Sequence, residues 1–193
     1  MTIRITKPEL NLREKLKTIE HFKVPYDKMP GGTIVQVVKI SSSTDTSVTG
    51  AGASSSWNSI VSTIATIYPK FSDSHLLYVC ALNAEHDASS TSNIYGFLKL
   101  FKNINDGQGY QGIDDSISFF TESIDEYGAT TTSTMHYIDE DHGARPGGSV
   151  SYRVYYNKMN NTQTTHFNQP LTVTPEGTNT NSFSKGYIME IVQ

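Results

Sequence analysis

The sequence predicts an all-β protein: an antiparallel β-sandwich, jelly-roll-like, preceded by a short N-terminal helix and arm. Three observations carry this. From residue 33 onward, apolar residues recur in short runs with a period near two. Clusters of Ser, Thr, Asn and Gly separate those runs at intervals of about 8–15 residues, the rhythm of a sandwich. The chain closes on Phe183-Ser-Lys-Gly-Tyr-Ile-Met-Glu-Ile-Val192, a strand in which Tyr187, Met189 and Ile191 point one way and Ile188, Glu190 and Val192 the other. A terminus frays unless it is tied down, so this much apolar surface predicts a strand locked into a sheet.

Residues 6–22 form the one convincing helix. Thr6 caps it, Pro8 lies in its first turn and Glu9 completes a Thr-x-x-Glu capping box. Leu12, Leu16 and Ile19 make one stripe and Phe22 follows it, with Arg13, Glu14, Lys17 and Glu20 around the rest. So short a stripe is too little for a coiled coil on its own. It rests on its own domain, on copies of itself or on a partner. The segment Phe22-Lys-Val-Pro-Tyr-Asp-Lys-Met-Pro30-Gly-Gly32 is a stiff connector, so we divide the chain into an arm, residues 1–30, and a sandwich, residues 31–193.

Thr33–Ile40 is the first expected strand. The Ser/Thr/Gly-rich stretch 41–56 is a loop or weak edge strand. Trp57–Tyr68 mixes a β-branched run with a helical period, and flanking composition resolves it as strand. Leu76–Leu82 is nearly all apolar and predicts a central strand; Asn93–Phe101 is the next. Residues 103–115 read as a loop. Strands are then expected over 117–120, 131–138, 150–156, 164–168 and 171–174.

At 193 residues the chain can bury a core without disulfides, and its lone cysteine, Cys80, lies in an apolar run as a small hydrophobe. That suits assembly in a reducing cytosol. No run of eighteen apolar residues is present, so no membrane span is expected, and Met1-Thr-Ile-Arg-Ile-Thr-Lys7 lacks the apolar core of a signal peptide. Residues 1–30 carry seven basic against four acidic residues, net +3, and the remainder eight against fifteen, net −7. A basic arm on an acidic body suits an acidic protein surface and disfavours nucleic acid.

Catalytic signatures are missing. There is no GxGxxG after a strand, no phosphate-binding GxxxxGK, no GxSxG, no HExxH and no CxxC. Asp139-Glu-Asp-His142 reads as a solvated turn, and Asn105-Asp-Gly107 with Asp114-Asp115 lacks the spacing of a calcium loop. Six histidines are scattered without ligand spacing. No cofactor is expected. Eleven tyrosines and the single Trp57 carry more weight, because such rings enrich at recognition surfaces and stack on sugars. Two loops, 103–115 and 139–148, are expected at the surface, presenting Tyr110, His142 and Arg145.

The block Met29-Pro-Gly-Gly-Thr-Ile-Val-Gln-Val-Val38 resembles the opening strand of a family of bacteriophage virion proteins abundant in marine phages. The later blocks Trp57–Val79, Gly96–Lys102, Tyr152–Tyr156 and Tyr187–Ile191 are similar in order and character, so the likeness covers about residues 29–192. It implies a tail-fibre, head-fibre or capsid decoration protein of the virion surface, made in the host cytoplasm and without enzymatic activity. It implies a jelly-roll-like domain that forms a homotrimer, docked to other virion proteins by the arm through Leu12, Leu16, Ile19 and Phe22. A host surface glycan or receptor is the further partner it suggests, as for an adhesin at a tail tip; a carbohydrate-active enzyme is the weaker alternative. With about thirty residues before the domain, the likeness implies a short knob or decoration protein.

Overall fold

A computed structural model describes residues 29–41, 44–49, 57–86, 93–104, 109–123, 130–145, 147–158, 164–168 and 184–193. The expected helix over 6–22, with Leu12, Leu16, Ile19 and Phe22, lies outside these residues, as does the strand expected over 171–174. Among the described residues, alternating sequence gives twelve strands: β1 (Ile34–Ser41), β2 (Thr46–Thr49), β3 (Asn58–Ser59), β4 (Ala65–Ile67), β5 (His75–His86), β6 (Asn93–Ile104), β7 (Gln111–Gly112), β8 (Ser118–Ser123), β9 (Thr130–Asp139), β10 (Val150–Lys158), β11 (Thr164–Phe167) and β12 (Lys185–Ile191). Among the described residues, the helical pieces are 3-10 turns at Val61–Thr63 and Asp114–Ser116.

The strands form two packed antiparallel sheets. In the first, β5 is flanked on one side by β9 and on the other by β12 and, further along, β11; β1 pairs outside β12 and β2 outside β11. In the second, β10 pairs with β6, β3 and β4 lie outside β10, and β7 and β8 lie outside β6. The closing strand is therefore an inner strand, hydrogen-bonded on both sides. Its junction with β1 is zipped shut: Gly32 N–H donates to Val192 O at 2.8 Å and Val192 N–H to Thr33 O at 2.9 Å. Gly32 sits at φ +83° in the turn that makes this possible, where a side chain would be strained.

Alternation decides the core. Leu76, Tyr78, Cys80 and Leu82 of β5 face Leu98 and Leu100 of β6 and Tyr152, Val154 and Tyr156 of β10, all buried. Tyr78 and Tyr152 meet across the sheets at 5.8 Å, and Tyr156 meets Phe167 edge-on at 5.2 Å. Both geometries are favourable for aromatic pairs. Gly186 of β12 lies where β5 passes closest: a Cβ there would stand 2.1 Å from Val79 O.

The stretch 57–68 departs from expectation. It is not one strand but two short ones around a 3-10 turn. The turn lets Ile60, Ser62, Thr63, Ala65 and Ile67 all face inward, which strict alternation forbids. Thr63 Oγ1 donates to Ile60 O at 2.7 Å and accepts Val154 N–H at 2.8 Å, replacing a lost ladder bond. The helical period weighed against strand in this segment is real but confined to one turn.

Candidate functional site

Residues alternating outward from β6 and β10 meet on the outer face of the second sheet. Antiparallel register sets Arg153 opposite Phe101 and Tyr155 opposite Lys99, and β7 adds Gly112 opposite Phe101. Trp57, just before β3, and Tyr110, just before β7, close the two ends. The rings form a chain: Trp57 meets Phe101 edge-on at 6.0 Å, Phe101 meets Tyr155 at 4.0 Å, and Tyr155 meets Tyr110 at 6.2 Å. All four are half-buried.

Two cations are fixed among them. The Arg153 guanidinium lies 4.4 Å from the Tyr110 ring centre and donates from Nη1 to Ser59 Oγ at 2.9 Å. Its Nε is buried without a hydrogen-bond partner, a cost the contact with the ring offsets. Lys99 Nζ lies 5.9 Å from the Trp57 ring and 6.0 Å from Phe101, and pairs with Asp114 Oδ1 at 2.5 Å. The lysine is largely enclosed while Asp114 is fully exposed. The lysine's hydrogen bond, then its charge, holds the Asp114 carboxyl below the usual range.

A second polar site lies between the sheets' edges. A cleft of about 460 Å³ is lined by Lys102 and Tyr137 with Asp115, Asp139, Glu140 and Asp141. Asp139 is buried and already engaged: its Oδ2 accepts from Lys102 Nζ at 2.8 Å and from Tyr152 OH at 2.5 Å. Lys102 Nζ also donates to Asp141 O at 3.1 Å. Burial first, then Asp139, pushes the Tyr152 hydroxyl well above its ordinary value, so it stays a donor. Among the described residues no group of three or more His, Cys, Asp or Glu side chains is placed to hold a metal ion.

The expected loop residues do not share a site. Tyr110 belongs to the ring chain. Arg145 is exposed, and its carbonyl accepts Gly148 N–H at 2.8 Å to close a turn. His142 corrects its expectation: it is fully buried, not presented on a loop. Its Nε2 lies 3.1 Å from Phe71 O, which can only accept, and its Nδ1 accepts Ala144 N–H at 3.1 Å. That assigns the ring hydrogen to Nε2 and makes the residue a clip between two loops. Asp139 is likewise interior, so the acidic turn is solvated only at Glu140 and Asp141.

Sequence reading singled out Trp57 and Tyr110 but missed Lys99, Phe101, Arg153 and Tyr155. Their partnership depends on register between strands about fifty residues apart, for which the outward half of each alternation was the only signal.

The outer face of the first sheet differs. Val37, Met189, Leu77 and Ile138 form one cross-strand row, and Lys39, Tyr187, Val79 and His136 the next. Val37 is 58 % exposed, Ile138 51 % and Tyr187 38 %, and Ile34, near the start of β1, is 52 %. No protein-family model and no curated protein matches the sequence.

Proposed function

We propose that this chain is a non-enzymatic structural protein of a bacteriophage virion surface, an appendage, knob or capsid decoration that associates with itself through the outer face of its first sheet. The observation that carries the self-association is the apolar row Val37–Met189–Leu77–Ile138, exposed at its two ends and half-buried between them, continued by exposed Tyr187 and half-buried Val79. Contiguous apolar surface on a sheet face is costly in water and marks an interaction surface. The sheet order β1-β12-β5-β9 against β4-β10-β6-β8 reads as a jelly roll, an architecture used by viral capsid and lectin domains. That link is an analogy of fold, and the sequence likeness of residues 29–192 points the same way. Three copies around an axis is the arrangement we favour, with the basic arm docking the assembly to other virion proteins.

Replacing Leu12, Leu16 and Ile19 with Ser tests the docking part. The sandwich is expected to stay folded while the protein disappears from purified particles; undiminished incorporation would overturn the arm's role. A second reading, a host-binding adhesin, is favoured by the ring chain on the opposite face, which is a recognition surface separate from the assembly face.

A further inference from the structure

We infer that the outer face of the second sheet is a binding site for a neutral hexopyranose glycan, seated on the Phe101–Tyr155 surface between Trp57 and Tyr110. The site requires neither the virion assignment nor self-association.

Three features combine. First, the rings present half-exposed π surface of the kind on which the C–H face of a pyranose stacks. They are pre-ordered, since each touches the next, so little conformational freedom remains to be lost on binding. Second, the Lys99–Asp114 pair sets a donor and an acceptor 2.5 Å apart beside the rings. Vicinal hydroxyls of a sugar both donate and accept, so one such pair can bind two of them. The Asp114 carboxylate is exposed and keeps acceptor capacity beyond its bond to Lys99. Third, the platform is kept open by Gly112. A Cβ at that position would meet Lys99 Cε at 3.0 Å, Lys99 Nζ at 3.1 Å and Phe101 Cζ at 3.3 Å. Any larger side chain would roof the ring and the lysine, so the glycine preserves access from the β7 side.

Charge selects the ligand class. Lys99 is balanced by Asp114, Arg153 is engaged by the Tyr110 ring and Ser59, and the acidic body, net −7 beyond residue 30, repels a polyanion. An uncharged sugar meets no such penalty.

The single tryptophan lies at the site and reports on it. The full chain is titrated with maltohexaose, mannohexaose, galactohexaose and cellohexaose while Trp57 emission is followed, with glycerol as the polyol control. At least one oligosaccharide is expected to give a saturable change at millimolar concentration that glycerol does not. Gly112→Leu is expected to weaken it about tenfold by roofing the platform, and Asp114→Asn by a smaller factor, each in a chain whose circular-dichroism spectrum matches the parent's. Tyr155→Ala should abolish it. The inference is overturned if none of the four sugars gives saturation, or if glycerol gives an equal response. It is also overturned if folded Gly112→Leu binds as well as the parent chain, or if binding is confined to an anionic comparison such as polygalacturonate fragments.

Discussion

Glu190 is the sharpest test of how this fold is held. It is fully buried on the closing strand, and no cation pairs with it among the described residues. Its Oε1 accepts Lys70 N–H at 2.9 Å, Phe71 N–H at 3.0 Å and Ser74 Oγ at 2.8 Å; its Oε2 accepts Gln36 Nε2 at 2.7 Å. One carboxylate thus fastens β12 to β1 and to the turn that leads into β5. Through Phe71, whose carbonyl faces His142, it also steadies the loop after β9. Hydrogen bonds to a charged group contribute about 1.5–3 kcal/mol each, and a buried donor left alone costs about 1–3 kcal/mol. Glu190→Ala orphans the Lys70 and Phe71 backbone N–H groups and removes two charged hydrogen bonds from side chains that keep other acceptors, Ser74 Oγ to Phe71 O at 3.0 Å and Gln36 Nε2 to Tyr68 O at 2.7 Å. Lys70 and Gln36 reach partial solvent and recover some of that loss, so the net cost works out at about 3–4 kcal/mol. Glu190→Gln keeps an acceptor oxygen for the turn but turns an amide toward Gln36, whose Nε2 is held by Tyr68 O at 2.7 Å; about 1–2 kcal/mol is expected. Urea denaturation followed by circular dichroism measures both. With a slope near 2 kcal/mol per molar, Ala should lower the midpoint by about 1.5–2 M. An Ala cost under about 1 kcal/mol, or a Glu190→Leu variant more stable than the parent, would show that the carboxylate is a burial cost with no structural return.

Two further outcomes follow from the interior. Gly186→Ala forces a Cβ against Val79 O and Cys80 Cα, both backbone. A loss of about 2–3 kcal/mol, read as a melting temperature lower by about 5–10 °C, is expected; an unchanged melt would mean that β12 does not pass β5 so closely. Burial pushes the Cys80 thiol up to about 11 from 9.0, and burial followed by Cys80 pushes the Tyr78 hydroxyl well above its own ordinary value. Because the folded value lies above the unfolded one, this contribution is complete below pH 9 and is lost as pH rises from 9 to 11. The denaturation midpoint should hold constant to pH 9 and then fall, and Ellman's reagent at pH 8 should label Cys80 only in urea; rapid labelling of the folded chain would contradict this.

Much of the scaffold was legible in the sequence because a sheet face repeats every second residue. β5, β6 and β10 lie where apolar runs and alternation placed them, extended by a few residues at their ends, and β12 lies within the expected 183–192. The alternation of Ile188, Glu190 and Val192 was read correctly, yet nothing local said that this half, with its glutamate, faces inward; the donors come from residues 36 and 70–74. His142 misled for a related reason. Its neighbours Asp141 and Gly143 mark a surface turn, but its partner Phe71 is seventy-one residues away. The ring chain was half visible: Trp57 and Tyr110 stood out by type, whereas Phe101 and Tyr155 looked like ordinary sheet residues until register set their strands side by side.

Light scattering of the purified full chain tests the central claim, that the outer face of the first sheet is an assembly surface. The parent chain is expected at three times its 21.4 kDa mass at micromolar concentration. Val37→Lys with Ile138→Lys places two charges on exposed positions of the apolar row and should give a folded monomer. A monomeric parent, or a doubly substituted chain that keeps the parent's mass, would contradict it.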